Sequence, residues 1–185
     1  MNAILGGVVA SEVRWQRGSD RAFEALVRDR LDACYRLAAI LLGDRAEAED
    51  ATHEAILRAQ RSWSSVRDYA VAPAWLDRIV VNECRDRLRR RRVTRTIIDP
   101  DHAASDLIAP AGDLGGEERA ALRDALAKLT PDHRVVVVLR YLLDLPIEAI
   151  ALRTGAPAGT VKSRLHHALR ELRAAYDAAA REPDR

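Results

Sequence analysis

Apolar residues recur every three or four positions along most of this chain, the period of helices that bury one face. Between 20 and 42 they fall at Phe23, Leu26, Val27, Leu31, Tyr35, Leu37, Ala38, Leu41 and Leu42, with Ser19 or Asp20 as the cap and Gly43 as the stop. Asp44, with Glu47 three residues on, makes a capping-box-like opening for a second helix over 45–62. That helix turns Ala51, Ala55, Ile56 and Ala59 inward and Glu47, Glu49, Asp50 and Glu54 outward. A loop, SSVRDYAVAP, leads to a third helix from Ala74 to about Arg92. Its core face holds Trp75, Leu76, Ile79, Val80, Cys84 and Leu88, and six arginines lie between Arg85 and Arg92.

From 93 to 118 the period fails, interrupted by Pro100, Pro110, Gly112, Gly115 and Gly116 and rich in Asp and Glu. This stretch is expected to be a flexible acidic linker. A second helical block follows, first through Leu122, Ala125, Leu126 and Leu129, then from Thr130 as cap and Pro131 at the first helical position. Residues 135–139 (VVVVL) are strand-like in composition, but between Thr130-Pro131 and Tyr141-Leu142-Leu143 they read as a buried helix. After a break over 144–146, residues 147–173 form a short helix, a turn at Gly155 to Pro157, and a second helix. Ile150 and Ala151 mark the inner face of the first; Val161, Leu165, Ala168, Leu169 and Leu172 make the apolar stripe of the second. The opposite side shows Lys162, Ser163, Arg164, His166, His167, Arg170 and Arg173, the layout of a helix-turn-helix. An ordinary helical hairpin with a solvated basic face is the alternative. The expected fold is all-α, two small helical domains at 20–92 and 119–180, joined by the linker 93–118. Residues 1–19 are an N-terminal extension and a candidate for disorder.

Composition narrows the function classes. With 48% hydrophobic and 31% charged residues among 185, the chain is long enough for one domain or two small ones. A net charge of +2 means that any nucleic-acid face is a local patch, balanced by acidic surface elsewhere. Cys34 and Cys84 sit in helical, apolar-periodic stretches and read as buried thiols of a reducing, cytoplasmic protein. No ligand spacing suggests a metal, and no cofactor is expected. The apolar run at the N-terminus is too short for a bilayer and has no basic flank, so no membrane insertion is expected. No nucleophile–base set or phosphate loop appears, so neither enzyme activity nor a small-molecule substrate is expected.

Four segments carry a family resemblance: 41–59 (LLGDRAEAEDATHEAILRA), 74–92 (AWLDRIVVNECRDRLRRRR), 129–145 (LTPDHRVVVVLRYLLDL) and 159–173 (GTVKSRLHHALRELR). In this order they resemble regions 2 and 4 of bacterial RNA polymerase sigma factors of the extracytoplasmic-function (ECF) type. The resemblance implies a protein that binds core RNA polymerase, directs it to promoter DNA and helps to open it. The chemistry is left to the polymerase, and control falls to an anti-sigma factor.

The resemblance also assigns roles. Glu47, Glu49, Asp50 and Glu54 match the surface for the basic clamp helices of polymerase; by charge alone they could equally be a solvated helix face. Trp75, Arg78, Asn82, Arg85 and Arg89 match the face that meets the −10 element, where asparagine can read a base edge and arginines hold phosphates. An arginine run can also be a solvated helix end. In the loop 66–73 family members capture a flipped base with Phe-Arg-Gly-Asp and a further aromatic. This chain keeps Arg67 but has Val66, Asp68, Tyr69 and Ala72 around it. Thr160, Lys162, Ser163 and Arg164, followed by His166 and His167, match the recognition helix for the −35 element. The acidic linker matches the segment that threads toward the active-site and RNA-exit channel. A sigma-like adaptor that sequesters an anti-sigma factor without reading promoters is the alternative that the altered loop suggests. A stand-alone helix-turn-helix repressor would leave the first block without a role.

Overall fold

A computed structural model describes residues 3–98 and 116–179, with side chains over 20–92 and most of 118–178. All regular structure among them is helical. Helices α1 (Ala3–Leu42), α2 (Arg45–Ser62) and α3 (Ala72–Ile98) form an N-terminal lobe. Helices α4 (Gly116–Lys128), α5 (Pro131–Val137), α6 (Ile147–Thr154) and α7 (Ala158–Ala179) form a C-terminal lobe.

The helix boundaries follow local chemistry. Asp44 caps α2, its carboxylate accepting from the Glu47 N–H at 2.8 Å, while Gly43 takes the left-handed conformation at φ 72° that ends α1. Thr130 caps α5 by accepting from the His133 N–H at 3.2 Å, and Pro131 occupies the first turn. The valines after it are helical and buried, as their flanks suggest. Over Val138–Leu142 the helix widens into one π-turn, closed by the Leu143 N–H on the Val138 carbonyl at 3.2 Å. Asp144 then turns the chain with φ 47°.

Several boundaries differ from expectation. α1 does not start at Ser19 or Asp20 but runs unbroken from Ala3, so the 1–19 extension is helical where it is described. Serine and aspartate inside a helix cost less than about 0.7 kcal/mol each and, unlike proline, remove no backbone donor. α3 begins at Ala72 rather than Ala74, because Pro73 in a first turn lacks only an N–H that has no helical acceptor. It continues to Ile98, and α4 starts at Gly116, so the expected linker 93–118 shortens at both ends; residues 99–115 lie outside the described residues. Leu31 and Leu169, both expected inside, are 44% and 39% exposed. Each lies eight residues from an anchor of its stripe, Phe23 and Val161 respectively, which is about 80° round the helix at 3.6 residues per turn. That places both at the edge of their faces.

The two lobes pack against each other. One continuous apolar core includes Leu41, Leu76, Val80 and Val81 of the first lobe and Val135, Val136, Ile150 and Val161 of the second. α3 packs against α1 and α2 on one side and against α5 and α6 on the other.

Burial separates two otherwise similar leucine-type positions. Ile150→Ala, at a site with no exposed surface, is expected to lower unfolding free energy by about 2–5 kcal/mol, whereas Leu169→Ala should change it by about 0.5 kcal/mol or less, as read from urea denaturation. Burial also pushes the Cys34 thiol up to about 11 and the Cys84 thiol up to about 12, a neighbouring carboxylate adding to it in each case (Asp77 and Glu83). Both cysteines are therefore expected to resist a disulfide reagent at pH 8 in the native protein and to react once it is unfolded.

Candidate nucleic-acid interface

Helical periodicity splits the arginine run of α3 among three partners. Arg87 pairs with Glu83 at 2.8 Å and Arg90 lies 3.8 Å from it, while Arg58 of α2 reaches its other oxygen at 3.0 Å. Glu83 is 1% exposed, so this cluster ties α2 to α3 inside the lobe. Arg91 turns to Glu47 at 2.8 Å and donates to the Leu42 carbonyl at 2.9 Å, closing the end of α1. Arg85 and Arg89, one turn apart, face the C-terminal lobe.

Of the residues expected to meet the −10 element, Trp75, Arg78, Asn82, Arg85 and Arg89 lie along one face of α3, where Arg78 and Arg89 are exposed and the others half-buried. Arg89 donates to Asp132 at 2.7 Å, and Arg85 lies 3.7 Å from the other oxygen of the same carboxylate. Arg85 also donates to the Asn82 side-chain oxygen at 2.7 Å. The Arg78 guanidinium rests over Gly155, 3.3 Å from where a β-carbon would stand. Arg67 is exposed on the loop before α3. Trp75 is half-buried, its ring 5.9 Å from that of Trp63 and tilted to it.

That loop holds an aromatic stack that the sequence reading passed over. Trp63 is buried between Phe23, at 5.3 Å, and Tyr69, stacked on it at 5.3 Å and 11°. Tyr69 remains 55% exposed, and Asp68 fixes its turn by accepting from the Ala70 N–H at 2.9 Å. An exposed ring backed by a buried indole can stack a nucleobase.

On α7, Lys162, Ser163, His166 and His167 are exposed and Thr160 half-buried in the first turns, with the Ser163 hydroxyl donating to the Thr160 carbonyl at 3.0 Å. Arg164 does not point out with them; it lies 3.4 Å from Asp132. The His167 ring stacks 6.5 Å from that of His133, whose Nδ1 meets Glu171 at 2.9 Å. Gly155 has φ 68° and ends α6, the turn conformation that glycine adopts at least cost. On α2, Glu49 and Asp50 are exposed, while Glu47 and Glu54 are half-buried and engaged by Arg91 and Arg58.

The residues missed in the sequence are those that join the lobes. Asp132 reads as a routine first-turn carboxylate, yet it is shared by three arginines from two helices. Partial burial raises its carboxyl, but the Arg89 hydrogen bond and the charges of Arg164, Arg89 and Arg85 outweigh that and hold it below the usual carboxylate value. The hydrogen bond to Asp132 raises Arg89 in turn. Asp77, 4% exposed, accepts from Arg30 at 2.7 Å and from Arg153 of α6 at 3.0 Å. Buried Arg134 donates to the Leu126 carbonyl at 2.9 Å and to the Leu41 carbonyl at 3.3 Å. Their signal was long-range, and no local pattern carries it.

A two-lobed helical protein with a basic helix-turn-helix in its second lobe is the architecture of a bacterial transcription-initiation factor. Comparison bears this out. Residues 26–94 match the family model "Sigma-70 region 2" and residues 119–172 match "Sigma-70, region 4". The RNA polymerase sigma-E factor of Streptomyces avermitilis is 37% identical over 153 residues, covering 82% of this chain and 83% of its own. The ECF RNA polymerase sigma factor SigL of Mycobacterium tuberculosis is 32% identical over 173 residues, covering 92% and 94%. Among solved structures, the sigma factor RpoE of Bartonella quintana, in complex with the anti-sigma factor NepR, has a TM-score of 0.64 at 26% identity, covering 84% of this chain and 96% of that one. CnrH, in complex with the cytosolic domain of CnrY, has a TM-score of 0.59 at 25% identity, covering 86% and 90%. The chain belongs to the ECF family of RNA polymerase sigma factors, transcription regulators that direct polymerase to promoters.

Because Asp77 is buried and serves two guanidinium groups, Asp77→Ala is expected to destabilise the fold by about 2–3 kcal/mol, measurable as a lower midpoint in urea.

Proposed function

We propose that the exposed acids of α2, Glu49 and Asp50 with Glu47 and Glu54 beside them, meet the basic clamp of core polymerase. The −10 element is read by Arg67, Trp75, Arg78, Asn82, Arg85 and Arg89, and the −35 element by Thr160, Lys162, Ser163, Arg164, His166 and His167. The observation that carries this reading is the outward face of α7, where Lys162, Ser163, His166 and His167 stand exposed in the first turns of a recognition helix. Tyr69 takes the place of the missing loop aromatics as a stacking surface.

The assignments 20–92 and 119–180 as the polymerase/−10 and −35 units are supported by the two family-model matches. An anti-sigma factor controls the protein; that RpoE of Bartonella quintana is bound to such a factor supports this. The chain has no catalytic activity of its own and works in the cytoplasm. Among the described residues no helix is long and apolar enough to cross a membrane.

Sequencing the transcripts made on genomic DNA by polymerase core reconstituted with this protein tests the proposal: defined start sites sharing two upstream elements are expected. The double charge reversal Lys162→Glu with Arg164→Glu should lower specific transcription by tenfold or more while core binding persists. Unchanged transcription would instead favour the adaptor that only sequesters an anti-sigma factor. Glu49→Lys with Asp50→Lys should weaken core binding about fivefold or more, as measured by competition with another sigma factor.

A further inference from the structure

One line of positions along α3 carries arginine almost throughout. Arg78, Asn82, Arg85, Arg89 and Arg92 follow one another at spacings of four, three, four and three residues, and the next step of four falls on position 96, again arginine and still within the helix. At 3.6 residues per turn all six positions lie inside an arc of about 80°. The line therefore does not stop at Arg89 but continues for two more places on the same side of the helix.

Arg92 is exposed, and the helix itself gives no reason for its place there. A cation gains from a helix C-terminus only within the last turn, and α3 runs on past Arg92 to Ile98. Folding of the lobe draws its neighbours elsewhere: Arg90 lies near Glu83 and Arg91 pairs with Glu47. Arg92 stays in register with the −10 face.

The two ends of this line face different states of DNA. Tyr69, just ahead of α3, is exposed as the base-stacking surface of the proposed reading, and a base is free to stack on protein only where it has left the double helix. Beyond Ile98 the chain continues to the lobe that reads the −35 element, so the C-terminal end of α3 is its upstream end. The spacer between the two elements is paired. Asn82 is the residue suited to a base edge; Arg92 lies about 15 Å further along the helix axis and position 96 about 21 Å, at 1.5 Å per residue. That corresponds to about four to six base pairs at 3.4 Å each, enough to reach spacer DNA.

We propose that Arg92, with position 96 in line behind it, extends the −10 face into a clamp on the phosphate backbone of the paired spacer immediately upstream. This rests on the reading of α3 as the −10 helix. A guanidinium offers charge and paired donors to a phosphate but reads no base there. Arg92 thus adds affinity to every promoter alike and leaves the choice of −10 sequence to Asn82 and its neighbours.

The test uses polymerase holoenzyme reconstituted with the wild type or with Arg92→Gln. Two promoter templates are compared, one natural and one with uncharged methylphosphonates through the first spacer base pairs upstream of the −10 element. On the natural template the slope of log affinity against log salt is expected to become shallower by about 0.9 in Arg92→Gln, one counterion fewer released. The ranking of −10 base substitutions should stay as it is. The methylphosphonates should weaken the wild type and leave Arg92→Gln almost unaffected, while Arg92→Lys, which keeps the charge, should restore most of the slope. Competition for core polymerase confirms that each variant assembles. An unchanged slope in assembled Arg92→Gln overturns the clamp, and so does a variant as sensitive to the methylphosphonates as the wild type. Should Arg92→Gln fail to assemble, the wild type decides: binding that ignores the neutral spacer phosphates overturns the proposal. Asn82→Ala reports separately on the underlying reading. It should alter which −10 bases are preferred, and its failure to do so would sink the −10 assignment of α3 whatever the salt slopes show.

Discussion

A buried carboxylate among guanidinium groups is expensive to assemble, since every ion surrenders its water, and removing one partner leaves the others stranded. α3 is built around that constraint. It carries Glu83 and Asp77 inward and a run of arginines along its length, and each carboxylate is answered from a different direction. Glu83 is met by Arg58 of α2, Asp77 by Arg30 of α1 and Arg153 of α6. The aliphatic faces set how closely helices pack, while these ions set which helix sits where. A shift of α3 by one turn would keep much of the apolar contact and break every pairing at once, so charge supplies the register that leucine and valine leave loose.

The same constraint explains how a strongly basic helix fits a nearly neutral chain. Arg87, Arg90 and Arg91 are spent on internal acids, so they contribute to folding more than to any field outside. The outward basic character lies on α7, at Lys162 and Arg170, and at the exposed Arg78 and Arg89 of α3. Electrostatic attraction for DNA is thus smaller than a count of arginines suggests, in keeping with a protein that reaches promoters as part of a larger assembly.

Much of this was legible in the sequence because it is local. The caps at Asp44 and Thr130, the glycines at 43 and 155, the helical nature of 135–138 and the two-helix turn at 147–173 each depend on neighbours a few residues away. The edge positions Leu31 and Leu169 were misplaced because an apolar residue alone does not say how wide the covered face is. The division of the arginine run could not be read at all: whether Arg89 meets solvent or Asp132 depends on a residue 43 positions on. Trp63 was overlooked for a similar reason, its partners Phe23 and Tyr69 lying on either side of α2.

Gly155 shows how one residue can answer to two masters. In an isolated helix-turn-helix its φ of 68° could be tolerated by asparagine, which enters the left-handed region more readily than most residues. In this protein even that substitution would press a β-carbon toward Arg78 at 3.3 Å. That guanidinium is the far end of an exposed side chain and needs to move only a few tenths of an ångström, so the positive φ, more than Arg78, limits which residue can stand at 155.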